Sequence, residues 1–211
     1  MSIHEDARKG TLDRDTLARY LKNNPNILSE QDPATGRAPL ATAAVAGFAD
    51  VVDLLLKRGA KADALSRNGE TALLLTTRET TKNRPRIVQL LLSKTPDTLV
   101  DATTAADSNN TPLMYAVLKK DIESIRLLVK AGASPTAPND NDLTPEAAAE
   151  SDKAVKRALN PNEQSGLAKL ADLVGDFLLY IVAWVNKTAD DVVKNIFGLN
   201  PTLNETIDDV S

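Results

Sequence analysis

A unit of about 33 residues is written several times in this chain, and that recurrence constrains the fold more than any other feature. Thr144-Pro145 follows Thr111-Pro112 by 33 residues, Thr71-Ala72-Leu73 precedes it by 40, and Ala38-Pro39-Leu40 stands 33 before that. A unit this short cannot enclose a core of its own. It buries its apolar face only by stacking on its neighbours, which makes the whole a solenoid.

The unit near residue 32 reads DPATGRAPLATAAVAGFADVVDLLLKRGAKAD. Its spacing predicts a turn and then a short Ala-rich helix over 39–46, with Pro39 in the first turn, where a missing N–H costs nothing. Gly47 ends that helix, because glycine accepts the left-handed conformation. A second helix over 49–58 turns Val51, Val52, Leu54, Leu55 and Leu56 inward, and Gly59 stops it. The unit near 107 repeats the plan, with helices over 112–119 and 122–130 and with Ile125, Leu127, Leu128 and Val129 inward. Small residues in the first helix of each pair allow close approach, and Leu and Val in the second fill the seam.

These residues resemble the ankyrin repeat, whose pattern is a turn, then T-P-L-H-x-A, then V-x-L-L-L-x-x-G-A. The chain has A-P-L-A-T-A with VVDLLLKRGA at 38–60, and T-P-L-M-Y-A with IRLLVKAGA at 111–133. The middle unit has T-A-L-L-L-T at 71–76 with IVQLLL at 87–92. Ala41, Leu74 and Met114 stand where the family carries His, and the resemblance therefore implies a less regularly braced stack. Residues 3–31 and 140–159 read as capping helix pairs, which makes about five units, two of them caps.

Between its helices the middle unit carries extra residues around ETTKNRP, and more follow Leu92. Loop lengthening costs little, so a tolerated surface insertion is the first reading. A functional edge is the second.

Asn160-Pro161-Asn162 reads as a linker, giving a repeat domain over 1–159 and an extension over 160–211. The extension has helical spacing through Leu167, Leu170, Leu173, Val174, Phe177 and Trp184, and a second helix signed by Thr188, Gly198 and Pro201. It is expected to be a helical hairpin. Its uninterrupted apolar run, 177–185, is far short of the ~20 residues a bilayer needs. Packing on the repeats, or self-association through 167–197, is favoured over membrane contact.

The chain has no cysteine and one histidine, His4. That excludes a disulfide framework, a Cys- or His-based zinc site and nucleophile systems built on Cys-His or Ser-His. No phosphate-cradling glycine motif occurs, so no cofactor and no metal is expected. The acidic surplus lies wholly in 164–211, with three Lys against seven acids, and the rest is balanced. Neither part has the basic surplus of a nucleic-acid binder.

The fold expected is all-α, an ankyrin-type helical solenoid with short β-like turns plus the C-terminal hairpin. The function this resemblance implies is non-catalytic binding of another protein on the concave surface that stacked repeats form. Mapped onto this chain, the turn tips are Arg37; Arg67, Asn68 and Glu70; Asp107, Ser108 and Asn110; and Asp140 and Asn141. The inner-helix ends are Arg78, Glu79 and Lys119. Two other readings stay open: an adaptor region of a larger protein with its activity beyond residue 211, and a tail that dimerises or meets a membrane. A cytoplasmic location is expected, with the nucleus as the alternative.

Overall fold

Threonine followed by proline or alanine starts the inner helices of the later units. Thr71, Thr111 and Thr144 adopt extended backbone and accept, through Oγ1, the N–H of Leu74, Met114 and Ala147 at 3.1 Å. Each bond satisfies a donor that the first helical turn leaves without a partner. The helices so begun belong to a computed structural model that describes residues 2–79, 81–105, 108–149 and 151–160, within a compact unit spanning Met1–Pro161. The extension expected over 160–211, with its helical hairpin and self-association segment, lies outside the described residues apart from Asn160.

Among the described residues the helices form five pairs and no strand occurs. They are α1 (Ile3–Lys9) with α2 (Arg14–Asn23), α3 (Pro39–Ala46) with α4 (Ala49–Lys57), and α5 (Ala72–Arg78) with α6 (Arg84–Leu92). Then come α7 (Pro112–Leu118) with α8 (Ile122–Lys130), and α9 (Pro145–Ala148) with α10 (Lys153–Leu159). The first helices pack in one row, α1 on α3 on α5 on α7 on α9. A second row runs α4 on α6 on α8 on α10. Each unit touches mainly its neighbours, which is how a solenoid distributes its core.

The core follows the repeat. Leu40, Leu73 and Leu113, the leucines of the T-P-L positions, are at most 1% exposed, and Ala43, Ala44 and Ala116 are fully buried beside them. Val52, Leu55, Ile87, Leu91, Ile125 and Leu128 fill the seam with the second row. Leu54, Leu127 and Val129 are only half-buried, since at 3.6 residues per turn no more than two neighbours in a Leu-Leu-Leu run can face one way.

The inner helices end in different ways. α3 ends at Gly47 with φ +87. Lys120, at the matching place after α7, takes φ +54 without being glycine. α5 ends at Glu79 in extended backbone, and five residues, 79–83, lead to α6 where the α3–α4 turn needs two.

That insertion is not slack. Thr81 is buried and donates to the Val45 carbonyl at 3.5 Å, and Asn83 donates to the Gly47 carbonyl at 3.0 Å. Lys82 lies so close over Gly47 that a Cβ there would stand 3.0 Å from its Cβ and carbonyl oxygen. The added residues fasten one unit to the one before.

Candidate functional site

Three of the turn tips are opened by a residue that bonds its own backbone. Asp32 Oδ1 accepts from Ala34 N–H, Ser66 Oγ from Asn68 and Glu70, and Asn139 Oδ1 from Asn141 and Leu143. Neighbouring tips are then tied: Arg67 N–H donates to the Gly36 carbonyl and Asp140 N–H to the Ser108 carbonyl, both at 3.0 Å. Gly36 has φ +67, and a Cβ there would stand 2.4 Å from the Arg67 Cβ, so that approach requires glycine.

Of the expected tip residues, Arg67, Asn68, Ser108, Asp140 and Asn141 are exposed. Asn110 is half-buried and accepts from Asn139 Nδ2 at 2.8 Å. Asp107 lies outside the described residues. Glu70 is 4% exposed. Ser66 Oγ donates to it at 2.9 Å and Arg78 at 2.5 Å, so its carboxylate is spent inside the unit.

The expected helix-end residues converge on Glu79. Arg78 reaches its Oε1 at 3.3 Å, and Arg37, from the preceding unit, reaches the same atom at 3.5 Å. Lys119, from the following unit, donates to the carbonyls of Arg78 and Glu79. Arg84 donates to the carbonyls of Thr76 at 3.3 Å and Glu79 at 3.0 Å, and pairs with Asp121 at 3.1 Å. Cations thus cap the C-terminal carbonyls of α5, where the helix dipole is negative and no glycine turns the chain.

Arg37, Glu70, Arg78, Glu79 and Lys119 are therefore one network across three units, while the exposed tip residues stand apart from it. Arg84 and Asp121 belong to this network and escaped the sequence reading. The one available signal was a basic residue closing an insertion, in a unit that lacks the glycine its neighbour uses.

Burial lowers the pKa of the Lys119 ammonium, and the Arg84 and Arg78 guanidinium groups lower it further against the pull of Glu79. His4 is 6% exposed, and neither ring nitrogen has a hydrogen-bond partner. Burial holds its pKa below 6.5, although the Asp32 and Glu30 carboxylates act the other way.

Among the described residues no His, Asp and Glu side chains gather in a group that could hold a metal ion. Among them, too, no helix is long and apolar enough to cross a membrane.

Comparison with known proteins agrees with this architecture. The family described as "Ankyrin repeats (3 copies)" matches residues 3–102 and 68–139. The Caenorhabditis elegans "Ankyrin repeat and KH domain-containing protein mask-1" is 33% identical over 100 residues, which is 47% of this chain and 4% of that protein. "Protein glp-1" of the same organism is 34% identical over 87 residues, 39% of this chain and 7% of that protein. The chain thus spans only a small part of either relative's length. Stacked pair by pair and matched over more than half its length, the chain belongs to the ankyrin-repeat family, whose repeats are protein–protein interaction modules and in general not catalytic.

Proposed function

We propose that this chain is a non-catalytic adaptor that binds a partner protein on the face formed by its inner-helix ends and turn tips. One observation carries the reading. Val45, Arg78 and Leu118 occupy the same place in α3, α5 and α7, and Leu118 there is 55% exposed, the most exposed large apolar side chain among the described residues. A lone exposed leucine is common on protein surfaces; it counts here because it lies in the inner-helix row, the surface that stacked repeats present to their partners. The exposed tips at Arg67, Asn68, Asp140 and Asn141 extend that face. Supporting the absence of catalysis, the only histidine is buried in α1. We place the protein in the cytoplasm or nucleus, where a cysteine-free chain needs no disulfide.

The test compares affinity capture by the wild-type chain with two double variants of exposed residues. Arg67→Glu/Leu118→Glu alters the proposed face, and Glu123→Ala/Arg126→Ala alters the outer helix α8. The expected result is a partner kept by wild type and the α8 variant and lost by the first variant, with all three equally folded by circular dichroism. Loss on the α8 variant alone would overturn the reading.

A further inference from the structure

Asn68-Gly69 is the only asparagine followed by glycine in the sequence, and it stands at the turn tip before α5 with both residues exposed. An asparagine side-chain amide lies within short reach of the next backbone nitrogen. When that nitrogen attacks the side-chain carbonyl carbon, a five-membered ring closes. A Cβ on the attacking residue hinders the closure, and glycine has none.

The repeat supplies its own comparison. Asn141-Asp142 holds the same place in the tip before α9. Gly69 N–H donates to the Ser66 carbonyl at 2.9 Å, and Asp142 N–H donates to the Asn139 carbonyl at 3.0 Å. Gly69 has φ +78 and Asp142 φ +56. Asn68 and Asn141 are both exposed, and neither side chain makes a hydrogen bond among the described residues. Elsewhere in the tips the amides are held: Asn109 Nδ2 donates to Asp140 at 2.7 Å, and Asn139 Nδ2 to Asn110 at 2.8 Å. The two free sites thus differ chiefly in the side chain of the residue that must attack. A Cβ placed on Gly69 would meet no atom within 4 Å, so the ring, and the water that opens it, have room.

We propose that Asn68-Gly69 is a self-modifying site, which converts to aspartate and, in part, to its β-linked isomer. Gly69 N bonds to Asn68 Cγ and gives its proton to water, and the side-chain nitrogen takes up a proton and leaves as ammonia. Water then opens the ring. Breaking the new N–Cγ bond leaves aspartate. Breaking the original peptide bond leaves the chain running through Cβ, one backbone atom longer. One water is consumed and one ammonia released, and either product carries a carboxylate that Asn68 lacked. Gly69 N must first leave the Ser66 carbonyl, a bond that closes only an exposed turn and that local opening breaks at little cost. Ser66 Oγ, which accepts from Asn68 and Glu70 and donates to the Glu70 carboxylate, holds this tip together. An added backbone atom misplaces those bonds, and with them the Arg67 N–H that ties the tip to Gly36. The isomer therefore loosens the link between two units. The conversion stands whether or not the face binds a partner.

The experiment holds the full chain, as wild type and as Asp142→Gly, in warm neutral buffer and maps its peptides by mass spectrometry over time. A protease that cuts before aspartate but not before its β-linked isomer separates the two products. In wild type, Asn68 should convert at least about tenfold faster than Asn141. Asp142→Gly places glycine where φ is already positive, so the fold should hold, which thermal unfolding checks, and Asn141 should then convert about as fast as Asn68. Equal rates at Asn68 and Asn141 in wild type would overturn the inference, as would an Asn141 that Asp142→Gly leaves unchanged. An Asn68 that keeps its amide in the folded chain but loses it in urea would overturn it too, because the bond to Ser66 would then protect the tip.

Discussion

Ala38 stands where Thr71, Thr111 and Thr144 stand in the later units, and α3 starts without a side-chain cap. Its backbone is already extended, φ −68 and ψ 161, close to that of Thr71 and Thr111. Ala38→Thr should therefore stabilise the protein by about 1 kcal/mol, seen as a higher urea midpoint with unchanged slope. Lys120 gives a prediction of the same kind. Its φ of +54 is a conformation that Gly47 adopts freely in the matching place. Lys120→Gly should stabilise by about 0.5–1 kcal/mol, because the Lys120 side chain in the pair with Asp152 that it removes is exposed, and such a pair contributes little. A loss of stability would mean that the ion pair outweighs the strain.

His4 makes stability depend on pH. Its folded pKa lies below the 6.5 of the unfolded chain, so the unfolded state takes up the proton first as pH falls. The His4 contribution is fully present above 6.5 and is lost as pH drops through that value toward the folded pKa. Melting temperature should fall between neutral pH and mild acid, and His4→Leu should flatten that dependence without loss at neutral pH, since it removes two unpartnered nitrogens. The threonine caps could be read directly, each standing one residue before its helix. Lys120 could not, because nothing in its side chain marks a left-handed residue.

At the scale of the element, α5 differs most from what its neighbours suggest. The sequence predicts its start, its apolar face and the extra length behind it. How it ends depends on Arg84 and on Lys119, which lies 41 residues from the carbonyl of Arg78 that it caps. Hydrophobic periodicity reports which side of a helix is buried. It carries no record of a cation arriving from another unit, which is why Arg78, Glu79 and Lys119 read as partner contacts when much of their bonding is internal. Arg84→Met keeps the stem and removes three charge-assisted bonds, leaving Asp121 half-buried without its ion pair. It should cost about 2–4 kcal/mol in urea unfolding. A cost below about 0.5 kcal/mol would show that water replaces the guanidinium without penalty.

At the scale of the whole described unit, the number of helix pairs and their order were legible because the same apolar pattern is written in each. Stability should grade along the stack. α5 carries Leu73, Leu74 and Leu75, all at most 1% exposed, and packs on both α3 and α7. α9 has four residues, of which Pro145 alone is fully buried. Amide hydrogen exchange should be slowest in α5 and α7 and fastest in α9, by orders of magnitude, since local opening there exposes little apolar surface. Uniform protection through α9 would show that the stack opens only as one body.

The matching of Val45, Arg78 and Leu118 from helix to helix also sets a scale of length. Packed helices lie about 8–10 Å apart, and a polyproline II segment advances about 3.1 Å per residue with three residues per turn. Such a partner segment laid across the inner row would bring every third side chain, on one face, to a new unit, whereas a helical partner at about 1.5 Å per residue would need about five to seven residues. A segment of that kind is measured in triplets, and inserting one residue into it would shift every later side chain off its unit.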